Sequence, residues 1–246
     1  MSAFSLLNCS CFVHAYDFTT DLNELNVKID VDDQETTTFQ NGGYKTRIGG
    51  LRNVEAELNG FWQSGLSTAI TDAPDPNAFP DIGVVNRVVT ITPNETEAEA
   101  SYICQMGKFS YELGGDVGEV IPFSLSMSNT HADGLVRGQL AKSRGDVSAT
   151  GALGSAVNLG APTSTQFVYV AFHVFSAGTT ITVQVQSDTA SNFPSATTQA
   201  TIGPLTTTGG TWMTKVAGPF AGETWWRLNV SAITGTFNVA GTIGVQ

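Results

Sequence analysis

Between residues 25 and 59 the chain twice alternates apolar with polar side chains. Leu25, Val27, Ile29 and Val31 are separated by Asn26, Lys28 and Asp30, and Val54, Ala56 and Leu58 by Glu55 and Glu57, with Asn59 following. A period of two is what a strand with one dry and one wet face requires, and a helix, whose apolar stripe recurs every three or four residues, cannot use it. Paired as a hairpin, the two strands present an acidic face with Asp30, Glu55 and Glu57 on it. Between them, from Asp32 to Ile48, come Asp32 and Asp33, a threonine run ending in Phe39, a break at Gly42 and Gly43, and the basic stretch Tyr44, Lys45, Thr46, Arg47. This is longer than the two to five residues usual for a hairpin loop. Left free in solvent, it would waste ordering entropy that only a partner surface can repay. It therefore reads as a contact surface: Phe39 and Tyr44 are apolar anchors, Gly42 and Gly43 let the backbone turn, and Lys45 and Arg47 meet carboxylates on a neighbour.

Further strands are predicted over residues 83–92, 100–105, 109–113, 120–127 and 135–142, then over 167–175, 180–186, 198–202, 212–216, 225–232 and 237–245. They are rich in Val, Ile, Thr and Phe, which pack well on a pleated surface, and turns of Gly, Pro, Asn and Ser divide them. Pro74, Pro76 and Pro80 leave room for one short helix at most. Gly114, Gly115, Asp116, Val117 and Gly118 look like half a nucleotide loop, but no helix follows, so they read as a hairpin turn. The expected fold is all-β: a sandwich or barrel with a long hairpin loop, followed by an antiparallel sandwich.

The charge is divided unequally. Residues 1–135 hold six Lys/Arg against nineteen Asp/Glu, a balance of −13, whereas residues 136–246 hold five against three, a balance of +2. Around residues 134–160 acidic side chains become scarce and Gly, Ser, Ala and Thr dominate. The change of character places a boundary between a first domain, 1–145, and a second, 146–246. An acidic surface repels phosphate, which excludes DNA binding by counterion release for the first half. The N-terminus lacks a basic segment and a continuous apolar run, so no signal peptide is expected, and no stretch suits a membrane helix. Cys9, Cys11 and Cys104 are odd in number and lack a second ligand pair for zinc, so free thiols of a cytosol-made protein are expected.

Little in the chain points to catalysis. His14, His131 and His173 form no metal-ligand spacing, and no nucleophile elbow occurs. The reading is of a protein that is not an enzyme and needs no cofactor or metal. Trp212, Trp225 and Trp226 are candidates for a sugar-stacking platform, which would make the second half a glycan-binding adhesin or a decoration module of a capsid or tail.

Three places carry a resemblance to a known family. They are residues 16–22 (Tyr-Asp-Phe-Thr-Thr-Asp-Leu); the loop ending in Thr46-Arg47-Ile48-Gly49-Gly50-Leu51, with Gly60-Phe61-Trp62 after it; and the strand 123–127 followed by Val136-Arg137-Gly138. Their order and spacing resemble the tail tube proteins of long-tailed bacteriophages, over roughly residues 16–140. The resemblance implies a subunit that assembles six to a ring, in rings that stack into the tail tube. Genomic DNA would pass through an acidic lumen without specific binding. Residues 32–48 would then be the contact between rings, Asp30, Glu55 and Glu57 would face the lumen, and the second half would be an outer decoration domain. The implied partners are further copies of the chain and the tape measure, tail terminator and distal tail proteins, with no membrane. The implied location is the virion tail, assembled in the host cytoplasm.

Overall fold

The computed structural model describes residues 8–38, 42, 44–64, 73–213, 215–220 and 222–246. Among them the chain is all-β, with antiparallel strand pairs throughout. The first half contributes β1 (Ser10–Val13), β2 (Tyr16–Asp17), β3 (Leu22–Glu35), β4 (Arg47–Phe61), β5 (Arg87–Thr92), β6 (Ala100–Leu113), β7 (Pro122–Asn129) and β8 (Val136–Val147). One short helix, α1 (Pro74–Ala78), and a 3-10 turn (Phe79–Asp81) stand where the prolines allow them. The second half contributes β9 (Gly151–Asn158), β10 (Phe167–Ser176), β11 (Thr180–Asp188), β12 (Thr197–Leu205), β13 (Gly209–Trp212), β14 (Val216–Ala217), β15 (Trp225–Thr234) and β16 (Phe237–Val245).

Two sheets hold these strands. The smaller has four, in the order β12-β11-β15-β9, and the larger has twelve and branches at β6. One edge of β6 pairs with β8 over residues 100–103 and with β7 over residues 106–113, while the other edge pairs with β5. Two strands were expected at 100–105 and 109–113, but β6 is continuous through Gly107. The register shift between Lys108 and Ser110 bends the strand at this point instead of ending it. Val54, Ala56 and Leu58 of β4 and Phe123, Leu125 and Met127 of β7 pack with Val89, Ile91, Cys104 and Met106 to form the first core. In the second core, Val168, Val170, Phe172 and Val174 of β10 face Ile181, Val183, Val185, Trp226 and Leu228 of the smaller sheet.

The boundary expected at 145 and 146 falls inside β8, where Gly145 pairs with Val239 and Asp146 with Asn238. β16, the last strand, lies between β8 and β10, so the larger sheet runs unbroken from one half into the other. A third cluster spans the halves: Val88, Ile103 and Val136 pack on Tyr169 and Ala171. β9 also lies where no strand was expected. Apart from Leu153 and Val157 its residues are small or polar, so the local pattern does not distinguish a strand there from a loop.

Polar contacts join the halves as well. The His14 carbonyl lies 2.8 Å from Nδ1 of the fully buried His173, whose Nε2 lies 2.8 Å from the Thr90 hydroxyl. A neutral His173 satisfies both contacts by donating from Nδ1 and accepting at Nε2. Burial holds the His173 imidazole down at about 4, and burial together with Arg87 holds His14 at about 4. The unfolded chain therefore binds more protons between pH 6.5 and 4, so stability is complete above that window and is lost as the pH falls through it. For His173 the loss between pH 7 and pH 5 is about 2 kcal/mol. Urea midpoints at the two pH values measure it, and a His173→Gln chain with an equally steep pH dependence would refute the assignment.

Candidate functional site

The first hairpin is much longer than its alternating core. β3 and β4 pair from Leu22 and Gly60 out to Glu35 and Arg47, and the Thr36 amide still donates to the Thr46 carbonyl at 2.8 Å. At its two ends the expected loop 32–48 is therefore strand, residues 32–35 in β3 and residues 47–48 in β4. Beyond Val54 both faces are wet, so no apolar alternation marks the continuation. β7 supports β4 only from Phe61 to Glu55. The remaining two-stranded ribbon projects roughly 25 Å past that support at the antiparallel rise.

Asp30, Glu55 and Glu57, expected on one face, do share it and are exposed. Glu24, Asn26 and Lys28 of β3 and Asn53 and Asn59 of β4 lie on the same side. Ser124, Ser126 and Ser128 of β7 continue it, opposite Asn59, Glu57 and Glu55, and Glu112 of β6 lies opposite Ser124. The carboxylates on this face, Glu24, Asp30, Glu55, Glu57 and Glu112, far outnumber the cation Lys28, which pairs with Asp30.

The ribbon carries the other expected residues. Arg47 pairs with Asp33 at 2.6 Å and Lys45 with Glu35 at 3.0 Å, all four exposed. Asp32 lies on β3 and is exposed, Gly42 turns with a φ of +59°, and Tyr44 is 80% exposed. Phe39 and Gly43 lie outside the described residues. The outer end is apolar as well as charged: Ile29, Val31, Ile48 and Leu51 are all exposed.

Among the described residues both outer edges of this four-stranded surface, β3-β4-β7-β6, are open. Among the described residues β3 pairs only with β4. β5 leaves β6 at Met106, and beyond an isolated bridge from Ile82 to Lys108 no described strand pairs with that edge of residues 109–113. Sequence reasoning missed these edges, because a free edge is a property of pairing.

The three tryptophans do not form one platform. Trp226 is completely buried in the second core, edge-on to Phe220 at 4.8 Å. Trp212 belongs to the larger sheet, where it packs on Tyr169 and donates to Asp133 at 3.1 Å. Trp225 is partly buried on the smaller sheet, as Trp212 is on the larger one. Among the described residues no three His, Cys, Asp or Glu side chains gather as metal ligands would. The three cysteines are free thiols.

No protein-family profile and no curated protein matches this chain. Among solved structures it is similar to a chain from the virion of a native gene transfer agent particle, at TM-score 0.42 and 15% identity over 54% of this chain and 97% of that one. A chain from the tail of an empty particle of this kind, computed with C6 symmetry, gives 0.41 and 15% over 55% and 97%. The SPP1 Dit protein, described as a paradigm of the hub adsorption apparatus in phages infecting Gram-positive bacteria, gives 0.38 and 10% over 97% and 99%. These are distant likenesses of chain path.

Proposed function

We propose that the chain is a structural subunit of a phage tail that closes into rings and stacks as a tube, with the acid-faced sheet lining the channel. The observation that carries this reading is the four-stranded surface with a wet acidic face and two open edges. A long unpaired edge is a template for another chain, and soluble monomers normally blunt or cover it. Pairing β3 of one copy with residues 109–113 of the next satisfies both edges at once. A head-to-tail contact of this kind generates a closed ring when its rotation closes. Six copies per ring is the number implied by the tail tube resemblance.

Such a ring would turn Glu24, Asp30, Glu55, Glu57 and Glu112 toward its centre. Carboxylates repel phosphate, so DNA would pass without being held. The role is mechanical and electrostatic, with no reaction and no cofactor. It places the protein in the virion tail, assembled in the host cytoplasm beside tape measure, terminator and distal tail proteins. The ribbon would bridge successive rings.

Electron microscopy of the purified chain over a range of concentrations tests the reading. Closed rings and stacked tubes are expected, and replacing residues 38–44 by a short glycine turn should leave folded rings that no longer stack. A chain that stays monomeric at every concentration would refute the proposal.

A further inference from the structure

We infer that the two ends of the acid-faced sheet are complementary, so that the ribbon of one copy docks on the loop between β6 and β7 of the next. The inference rests on the ring-and-tube reading and names the acceptor that the reading leaves open. β7 runs antiparallel to β4, with Pro122 beside Phe61 and Ser128 beside Glu55. Residues 114–121 therefore sit at the end of the sheet opposite the ribbon tip.

That end is an unusual surface for a solvent-facing loop. Leu113, Val117, Val120 and Ile121 are exposed together, with Phe61 beside them. Trp62, Leu113, Gly114, Gly115 and Ile121 line an open groove of about 420 Å³ there. Contiguous apolar exposure of this kind marks an interaction site. The ribbon offers the matching apolar groups, Tyr44, Ile48 and Leu51.

Charge selects the same pairing. On the second strand of the ribbon residues 44–52 hold Lys45, Arg47 and Arg52 and no carboxylate, with Asp32, Asp33 and Glu35 on the first strand, whereas residues 112–121 hold Glu112, Asp116 and Glu119 and no cation. Complementary charge of this kind fixes register between partners. The pairs that Lys45 and Arg47 make within the ribbon are exposed at both partners, and such pairs contribute little, so exchanging them for intermolecular ones costs little. Because the two surfaces lie at opposite ends of one sheet, the contact is head-to-tail and repeats without limit along an axis. A second copy of this chain is the occupant that satisfies both ends at once.

Charge reversal tests the pairing. Asp116→Lys with Glu119→Lys should leave rings but shorten stacks at least tenfold, and adding Lys45→Glu with Arg47→Glu should restore their length. Long stacks from the first variant would overturn the docking while leaving the ring reading intact. Crosslinking gives a readout independent of stack length. In a Cys9→Ser background, Tyr44→Cys with Val117→Cys should oxidise to a ladder of covalent multimers that neither single variant produces. Absence of the ladder would overturn the docking, whereas a ladder without closed rings would support it and remove the ring reading.

Discussion

Replacing Asp81 by Asn is expected to cost about 3 to 5 kcal/mol of stability, the range for removing one partner of a buried ion pair. Lys108 lies inside the first half with its side chain 1% exposed, and Asp81 is its carboxylate partner at 3.1 Å. The ammonium also donates to the Asn77 carbonyl and lies 5.8 Å from the centre of the Phe18 ring. Asp81 binds Arg87 through its other oxygen, and Arg87 in turn reaches His14 at 2.9 Å. Burial lowers the Lys108 pKa. Burial acts to raise the Asp81 carboxyl, but Arg87 and Lys108 outweigh it and hold the group below its ordinary value. The asparagine would leave a buried cation with no counter-charge. Lys108→Met removes the cation itself and leaves Asp81 paired with Arg87, so it should cost far less. Urea midpoints of the two variants decide the matter: equal losses would refute an account based on uncompensated buried charge.

A fragment ending at residue 145 is expected to show no cooperative unfolding transition. Cutting there removes β16 from beside β8 and removes β10 from the far side of β16. It also uncovers Val88, Ile103 and Val136, each at most 2% exposed in the intact chain. At about 1.5 to 3 kcal/mol for each side chain, exposing the three costs about 5 to 9 kcal/mol, comparable to the whole stability of a domain. His14 would lose the Gly210 amide and the His173 ring as well. Near-UV circular dichroism during urea unfolding provides the measurement. A sharp transition near the midpoint of the full chain would show that the first half folds alone and that the continuous sheet is incidental to it.

Several strands of both cores were legible residue by residue. Leu25 and Val27 opposite Leu58 and Ala56, and the Phe123, Leu125 and Met127 series, alternate because one face of each strand is dry. β10 reads as an unbroken apolar run because both its faces are covered, Val168 and Val170 by the smaller sheet and Tyr169 and Ala171 by β5 and β6. The acidic face was legible for the same reason. Once Val54, Ala56 and Leu58 point inward, Glu55 and Glu57 must point outward.

What the local pattern could not carry was every feature that depends on a distant partner. The outer half of the ribbon has two wet faces, so residues 32–35 and 47–53 show no alternation, and only the hydrogen-bonded register with the facing strand makes them a ribbon. β9 is a strand because β15 lies beside it, and β8 continues past residue 145 because β16 does. The composition shift there is real, but charge and small-residue content describe the surface of a segment and say nothing of which strand it will pair with. Alternation along β3, β4 and β7 determined which of their side chains point inward. Which strands lie side by side, and so which edges remain open and which apolar ends face away from each other, is settled by long-range pairing that closes only in the folded chain.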